Sequence, residues 1–141
     1  MDKFDFKKLQ WKIDLPDNGS TYPGLWRARV NILPYTVSII AGEFAYSIPK
    51  QTLHSPNRYE KFEVAVLEPT GDSFSNKQSY ATNKFVENAN DTVLAYYTRE
   101  EITDLIEKIQ KQAGHGFIVY QTEINLEKLW WKNIKKKQHA S

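Results

Sequence analysis

Polar and apolar residues alternate most cleanly between Trp26 and Ile32. Trp26, Ala28, Val30 and Ile32 fall on one side there, and Arg27, Arg29 and Asn31 on the other. Successive side chains of a strand point to opposite faces, so this pattern predicts a half-buried strand. Leu33-Pro34 ends it. The next strand begins in phase with Tyr35, Val37, Ile39 and Ala41, then shifts to Phe44, Tyr46 and Ile48. A period of two changes phase only where a residue is inserted, which predicts a β-bulge at Gly42. Tyr59 to Leu67 predicts a third strand, with Phe62, Val64 and Val66 inward and Lys61, Glu63 and Ala65 outward. The run Glu68-Pro69-Thr70-Gly71-Asp72 stops it.

A fourth strand, Thr92 to Tyr97, leads straight into a helix. Thr98-Arg99-Glu100-Glu101 has the spacing of a capping box, in which Thr98 and Glu101 satisfy each other's backbone N–H. Ile102, Leu105, Ile106, Ile109 and Ala113 then recur at helical spacing and form one apolar stripe. Gly114 suits the left-handed residue just past the helix end. Gly116 to Ile124 predicts a fifth strand, and Asn125 to Lys137 a short final helix with Leu126, Leu129, Trp130 and Ile134 on one side.

Before these elements lies an N-terminal arm over residues 1–20, in which residues 1–15 read as a short strand or an extended arm anchored by Phe4, Phe6, Leu9, Trp11 and Ile13, with a turn at Pro16-Asp17-Asn18-Gly19-Ser20. Residues 73–91 read as one long loop carrying Phe74, Tyr80 and Phe85. The whole predicts a single α+β domain. Its twisted, mainly antiparallel sheet has about five strands, with one main helix packed on one face and a short C-terminal helix.

Composition narrows the chemistry. The chain has 141 residues, the size of one domain, and no cysteine. Disulfides, thiolate nucleophiles and Cys-ligated metals are therefore excluded, and a reducing compartment is favoured. The first residues lack the apolar core of a signal peptide. No apolar stretch approaches the roughly 20 residues of a membrane helix, so no membrane partner is expected. The net charge of +2 is uneven. Residues 128–141 hold five lysines and no acid, which leaves 14 basic residues against 17 acidic in the body. Any attraction to phosphate is thus local to the tail.

Candidate chemistry is sparse. His54, His115 and His139 have no partner at metal-ligand spacing and read as solvent-facing polar residues. No nucleophile elbow, Ser-x-x-Lys pair or phosphate-cradling glycine loop is present. Glu60 and Glu63 fall on opposite sides of their strand because an odd spacing flips the face. Neither an enzymatic activity nor a cofactor is expected.

Binding features are easier to find. In the tail, Trp130, Trp131, Lys132, Lys135, Lys136 and Lys137 combine indoles with cations, a set that stacks on bases and neutralises phosphates. The same residues suit a helix docking its apolar side on the body, and helical spacing favours that packing role. Arg27 and Arg29 could extend a basic surface along an outer strand face. Tyr96 and Tyr97 point to opposite sides, which turns one of them outward, and tyrosine favours interfaces where one end stays wet.

The segments Tyr35–Pro49 (YTVSIIAGEFAYSIP), Tyr59–Val66 (YEKFEVAV) and Asp91–Tyr96 (DTVLAY) leading into the helix resemble those of small uncharacterised proteins of tailed bacteriophages. The likeness spans the middle half of the chain. It implies a phage or prophage accessory product in the cytoplasm of a bacterial host, and it carries over no site residues. Many such products occlude a host protein, including components of bacterial immune systems, or sequester a small molecule. The leading expectation is non-catalytic binding of a host protein. The alternatives are nucleic-acid binding by the Trp/Lys tail and a sponge for a nucleotide signal; self-association remains open.

Overall fold

The computed structural model describes residues 2–15, 23–70, 78–87 and 92–121. Three strands of eight residues form its centre: β2 (Leu25–Ile32), β3 (Tyr35–Gly42) and β4 (Phe62–Pro69). They pair antiparallel in the order β2-β3-β4. Each outer edge is completed by two short strands. β1 (Lys12–Asp14) and β7 (Val119–Tyr120) flank β2, while β5 (Gln78–Tyr80) and β6 (Leu94–Tyr97) flank β4.

The described residues thus form an α+β structure, an open antiparallel sheet of seven strands with one main helix, α1 (Arg99–Ala113). The sequence reading undercounts strands because β1 and β5 are three residues long, too short to show a period. The short strands lie at opposite ends of the long ones, so a single row crosses at most five of the seven. One row, for example, runs Val119, Asn31, Thr36, Leu67, Tyr80. Of the segment expected as a fifth strand, Val119–Tyr120 pairs with β2 and Gly116–Ile118 does not. The turn at 16–20, much of the 73–91 loop and the C-terminal helix at 125–137 lie outside the described residues.

The core lies between the sheet and α1. Ala28, Val30 and Ile32 of β2, Val37, Ile39 and Ala41 of β3, and Phe62, Val64 and Val66 of β4 are buried. They meet Ile102, Leu105, Ile106 and Ile109 of the helix. Burying each large aliphatic chain contributes about 2 kcal/mol, so this stripe, rather than helix propensity, fixes α1 on the sheet. Thr98 Oγ accepts from the Glu101 N–H at 3.2 Å, and the Glu101 carboxylate accepts from the Thr98 N–H at 3.1 Å. Gly114 ends the helix at φ 74°. Arg99, a cation at the end where the helix dipole opposes it, instead lies 5.1 Å over the Phe6 ring and 5.4 Å over Phe62.

The N-terminal arm belongs to the core. Phe4 and Leu9 are buried, and Phe6 and Trp11 pack on Phe62 with ring centroids 5.2 and 5.7 Å away. Gln110, fully buried, donates from Nε2 to the carbonyls of Asp2 and Gly116 at 2.8 and 2.9 Å. One amide thereby joins the arm, the helix and the approach to β7.

Tyr59 is buried, donating to the Gln51 carbonyl at 2.6 Å and accepting from the Leu53 N–H at 2.8 Å. Burial pushes its phenol above the ordinary value, although the Leu53 N–H opposes that shift. Burial, and then the Glu101 charge, push Tyr97 the same way.

Two outcomes follow. Thr98→Ala removes one half of the capping box and lowers stability by about 1 kcal/mol in urea unfolding. A phenol whose pKa is raised by folding stabilises the fold below the unfolded value of about 10, and that stability is lost as pH rises through the folded value. Urea midpoints measured across that range therefore fall with pH, and Tyr59→Phe flattens the fall.

Candidate functional site: an aromatic knuckle at the sheet rim

The ladder between β3 and β4 runs regularly to Ile40↔Glu63 and resumes at the isolated bridge Ile48↔Lys61. Seven residues, 41–47, therefore face a single residue, Phe62. The one-residue bulge expected at Gly42 is instead an excursion of six extra residues, and β3 ends at Gly42. Gly42 is required at this point. Its φ is +141°, and a Cβ there would come 3.0 Å from Thr52 Oγ1.

The excursion is pinned from inside. Ala45 and Ser47 are buried. Ser47 Oγ accepts from the Gly42 N–H at 3.1 Å and donates to the Pro49 carbonyl at 3.0 Å. Thr52 Oγ1 accepts from the Glu43 N–H at 3.1 Å and donates to the Gly24 carbonyl at 2.6 Å. With odd positions inward, the even ones point out: Phe44 is 76% exposed, Tyr46 44% and Ile48 39%. The sequence reading placed these three in the inward phase of a continuing strand, and this is corrected. The available signal was the small pair Ala45 and Ser47 between Gly42 and Pro49.

β6 supplies the other half of the site. Phe62 pairs with Tyr97 and Val64 with Leu94, so Ala95 and Tyr96 together oppose Glu63. This is a β-bulge, and Tyr96 sits in it at φ 59°. The Tyr96 N–H donates to the Tyr46 carbonyl at 3.1 Å, and the Tyr46 N–H donates to the Glu63 carboxylate at 3.1 Å. The two rings meet at an angle of 63° with centroids 6.0 Å apart. Lys50 Nζ lies 5.0 Å from the Tyr46 centroid. Tyr96, singled out in the sequence, is thus the outward member of its pair at 40% exposure, and Tyr97 is half-buried.

Phe44, at φ 70°, and Tyr96 are the only non-glycine residues with positive φ among the described residues, and both are exposed aromatics. A bulky side chain in this region costs on the order of 1–2 kcal/mol, and it persists only where its surroundings over-determine it. Here the Ser47, Thr52 and Glu63 hydrogen bonds do so. The site offers ring faces and CH surface on a stiff backbone. Among the described residues, no three His, Cys, Asp or Glu side chains are placed to hold a metal ion.

The other residues singled out in the sequence do not join this site. Arg27 Nε lies 2.9 Å from Asp14 Oδ2, so its charge is matched within the β1–β2 edge. Arg29, half-buried, occupies the same outer face as Arg27, where a basic surface was expected. Trp130, Trp131, Lys132, Lys135, Lys136 and Lys137 lie outside the described residues. His115, half-buried, is tied to the backbone at an exposed position. Its Nε2 lies 2.6 Å from the Leu33 carbonyl, and its Nδ1 accepts from the Phe117 N–H at 3.2 Å. That pair of bonds places the proton of the neutral ring on Nε2. Among the described residues, no helix is long and apolar enough to cross a membrane.

Comparison of the chain with protein-family models, curated proteins and solved structures finds no match.

If Tyr96 is held in place for its side chain rather than for the fold, glycine at that position relieves strain. Tyr96→Gly is then neutral or stabilising by up to about 1 kcal/mol in urea unfolding. An aromatic that served the core would instead cost about 3–5 kcal/mol on truncation.

Proposed function

We propose that the protein acts by non-catalytic binding and seats a partner protein on the knuckle formed by Phe44, Tyr46, Ile48 and Tyr96. The observation that carries this reading is the pair of exposed aromatics held at positive φ by the Ser47, Thr52 and Glu63 hydrogen bonds. Neither strained ring belongs to the buried core, and pre-organised aromatic side chains are what interface hot spots are made of. The resemblance to small tailed-phage proteins supports a host protein as the partner, with components of bacterial immune systems among the candidates.

Two other readings receive less support. Nucleic-acid binding needs clustered cations; at the knuckle Lys50 lies over the Tyr46 ring, and the Glu63 carboxylate accepts from the Tyr46 N–H. A nucleotide sponge needs a slot between parallel rings, and the Tyr46 and Tyr96 planes cross at 63°. The Trp/Lys tail keeps the nucleic-acid reading open to experiment.

The test compares immobilised full-length protein with a Phe44→Ser/Tyr96→Ser variant, both checked by circular dichroism, for proteins retained from bacterial lysate. Proteins held by the parent and lost from the variant are the expected result, with affinity for a recovered partner weakened at least ~30-fold, the scale of a hot spot. Identical retention by both forms would remove the knuckle from the function. Retention of nucleic acid alone, abolished by deleting residues 128–141, would replace this reading with the tail.

A further inference from the structure

Strands β2 and β3 turn at Leu33-Pro34, at the end of the sheet opposite the knuckle. The connection from α1 to β7 meets this turn through the half-buried His115. Its Nε2 is 2.6 Å from the Leu33 carbonyl oxygen, and its Nδ1 is 3.2 Å from the Phe117 nitrogen. A carbonyl only accepts, so Nε2 has to donate. A backbone N–H only donates, so Nδ1 has to accept. One state of the ring meets both demands, the neutral imidazole with its proton on Nε2.

A charged imidazole cannot meet them. It carries a proton on each nitrogen, and the one on Nδ1 would point at the Phe117 N–H. The Leu33 bond survives protonation and the Phe117 bond does not. From this geometry we infer that His115 is an acid-opened latch. With the ring neutral it holds the α1–β7 connection in its turn; charging the ring releases the Phe117 N–H. The contribution of that bond is present at high pH and is lost as falling pH charges the ring.

The latch holds the approach to a very short strand. β7 has two residues, pairing Val119 with Asn31 and Tyr120 with Val30. Just before it, the Gly116 carbonyl accepts from the Asp2 N–H, and the Ile118 N–H donates to the Asp2 carboxylate, both at 3.1 Å. Phe117 lies between these ties and is 74% exposed, so burial does little to back up its bond to His115. The other ionisable groups of the surrounding elements are Asp2 and Lys3 of the arm, Arg29 of β2, Tyr35 of β3, Lys111 in the last turn of α1 and Tyr120 of β7. None of them bonds to the ring, whose two nitrogens are taken by Leu33 and Phe117. Asp2, the acid among them, holds the neighbouring Ile118 N–H, so the test separates its carboxylate from the ring.

Amide hydrogen exchange tests the latch, read by NMR as protection factors so that the intrinsic pH dependence of exchange cancels. Phe117 is expected to lose about tenfold in protection between about pH 8 and about pH 5, the range in which histidine changes charge. Ile106 in the core of α1 keeps its protection. His115→Asn leaves a side-chain acceptor for the Phe117 N–H, as in an Asx turn, and its amide does not titrate, so the loss disappears. Asp2→Asn keeps an acceptor for Ile118 and leaves the loss at Phe117 in place. Long-range proton–nitrogen spectra of the wild-type ring show its proton on Nε2 at the higher pH. The latch is overturned by unchanged protection of Phe117 in the wild type, by a loss shared equally with Ile106, or by a neutral ring protonated on Nδ1. A loss that persists in folded His115→Asn, or vanishes in folded Asp2→Asn, overturns it as well. The wild-type readings decide even where a variant does not fold, and they do not depend on the partner bound at the knuckle.

Discussion

Period-two burial leaves β3 no slack. Val37, Ile39 and Ala41 are fully buried between β2 and β4, so their register against Val64 and Val66 cannot slip without turning the core outward. The chain nevertheless carries six more residues than its partner strand between two points of that ladder. They have to leave the sheet, and Gly42 is where they do so. The knuckle is therefore a product of the core. The same packing that fixes β3 also decides where Phe44 and Tyr46 emerge.

Around that constraint the molecule uses polar groups sparingly and in closed sets. Ser47 and Thr52 satisfy the backbone of the excursion, and Gln110 ties the N-terminal arm to the far end of α1. Glu63 anchors the Tyr46 backbone. A buried donor or acceptor left unpaired costs about 1–3 kcal/mol, so each of these side chains is committed to structure. What is left for recognition is apolar and aromatic. This accounts for a knuckle with four hydrophobic side chains at its surface, whereas the Arg27 cation is matched by Asp14 in the sheet.

Much of the architecture was legible in the sequence because local rules and tertiary packing agree there. The alternation in β2 and β4, the helical stripe Ile102–Leu105–Ile106–Ile109 and the Thr98–Glu101 capping box all appear where the pattern places them. The misses have a common cause. β1 and β5 exist only because a longer neighbour offers them an edge, and three residues hold no period of their own. Tyr96 could be seen to face away from Tyr97, but the bulge that sets its backbone at φ 59° depends on pairing with Glu63.

The sequence by itself determined the α+β class, the helix with both its ends, the inward set of each long strand and the lack of any thiol chemistry. These follow from periodicity, capping and composition, which are properties of neighbouring residues. Only the tertiary structure decided that Phe44, Tyr46 and Ile48 turn outward beside Tyr96, that Arg27 is matched by Asp14, and that the N-terminal arm lies within the core. Each of these depends on which strand lies alongside and in what register, a contact between residues far apart in the chain that no local period encodes.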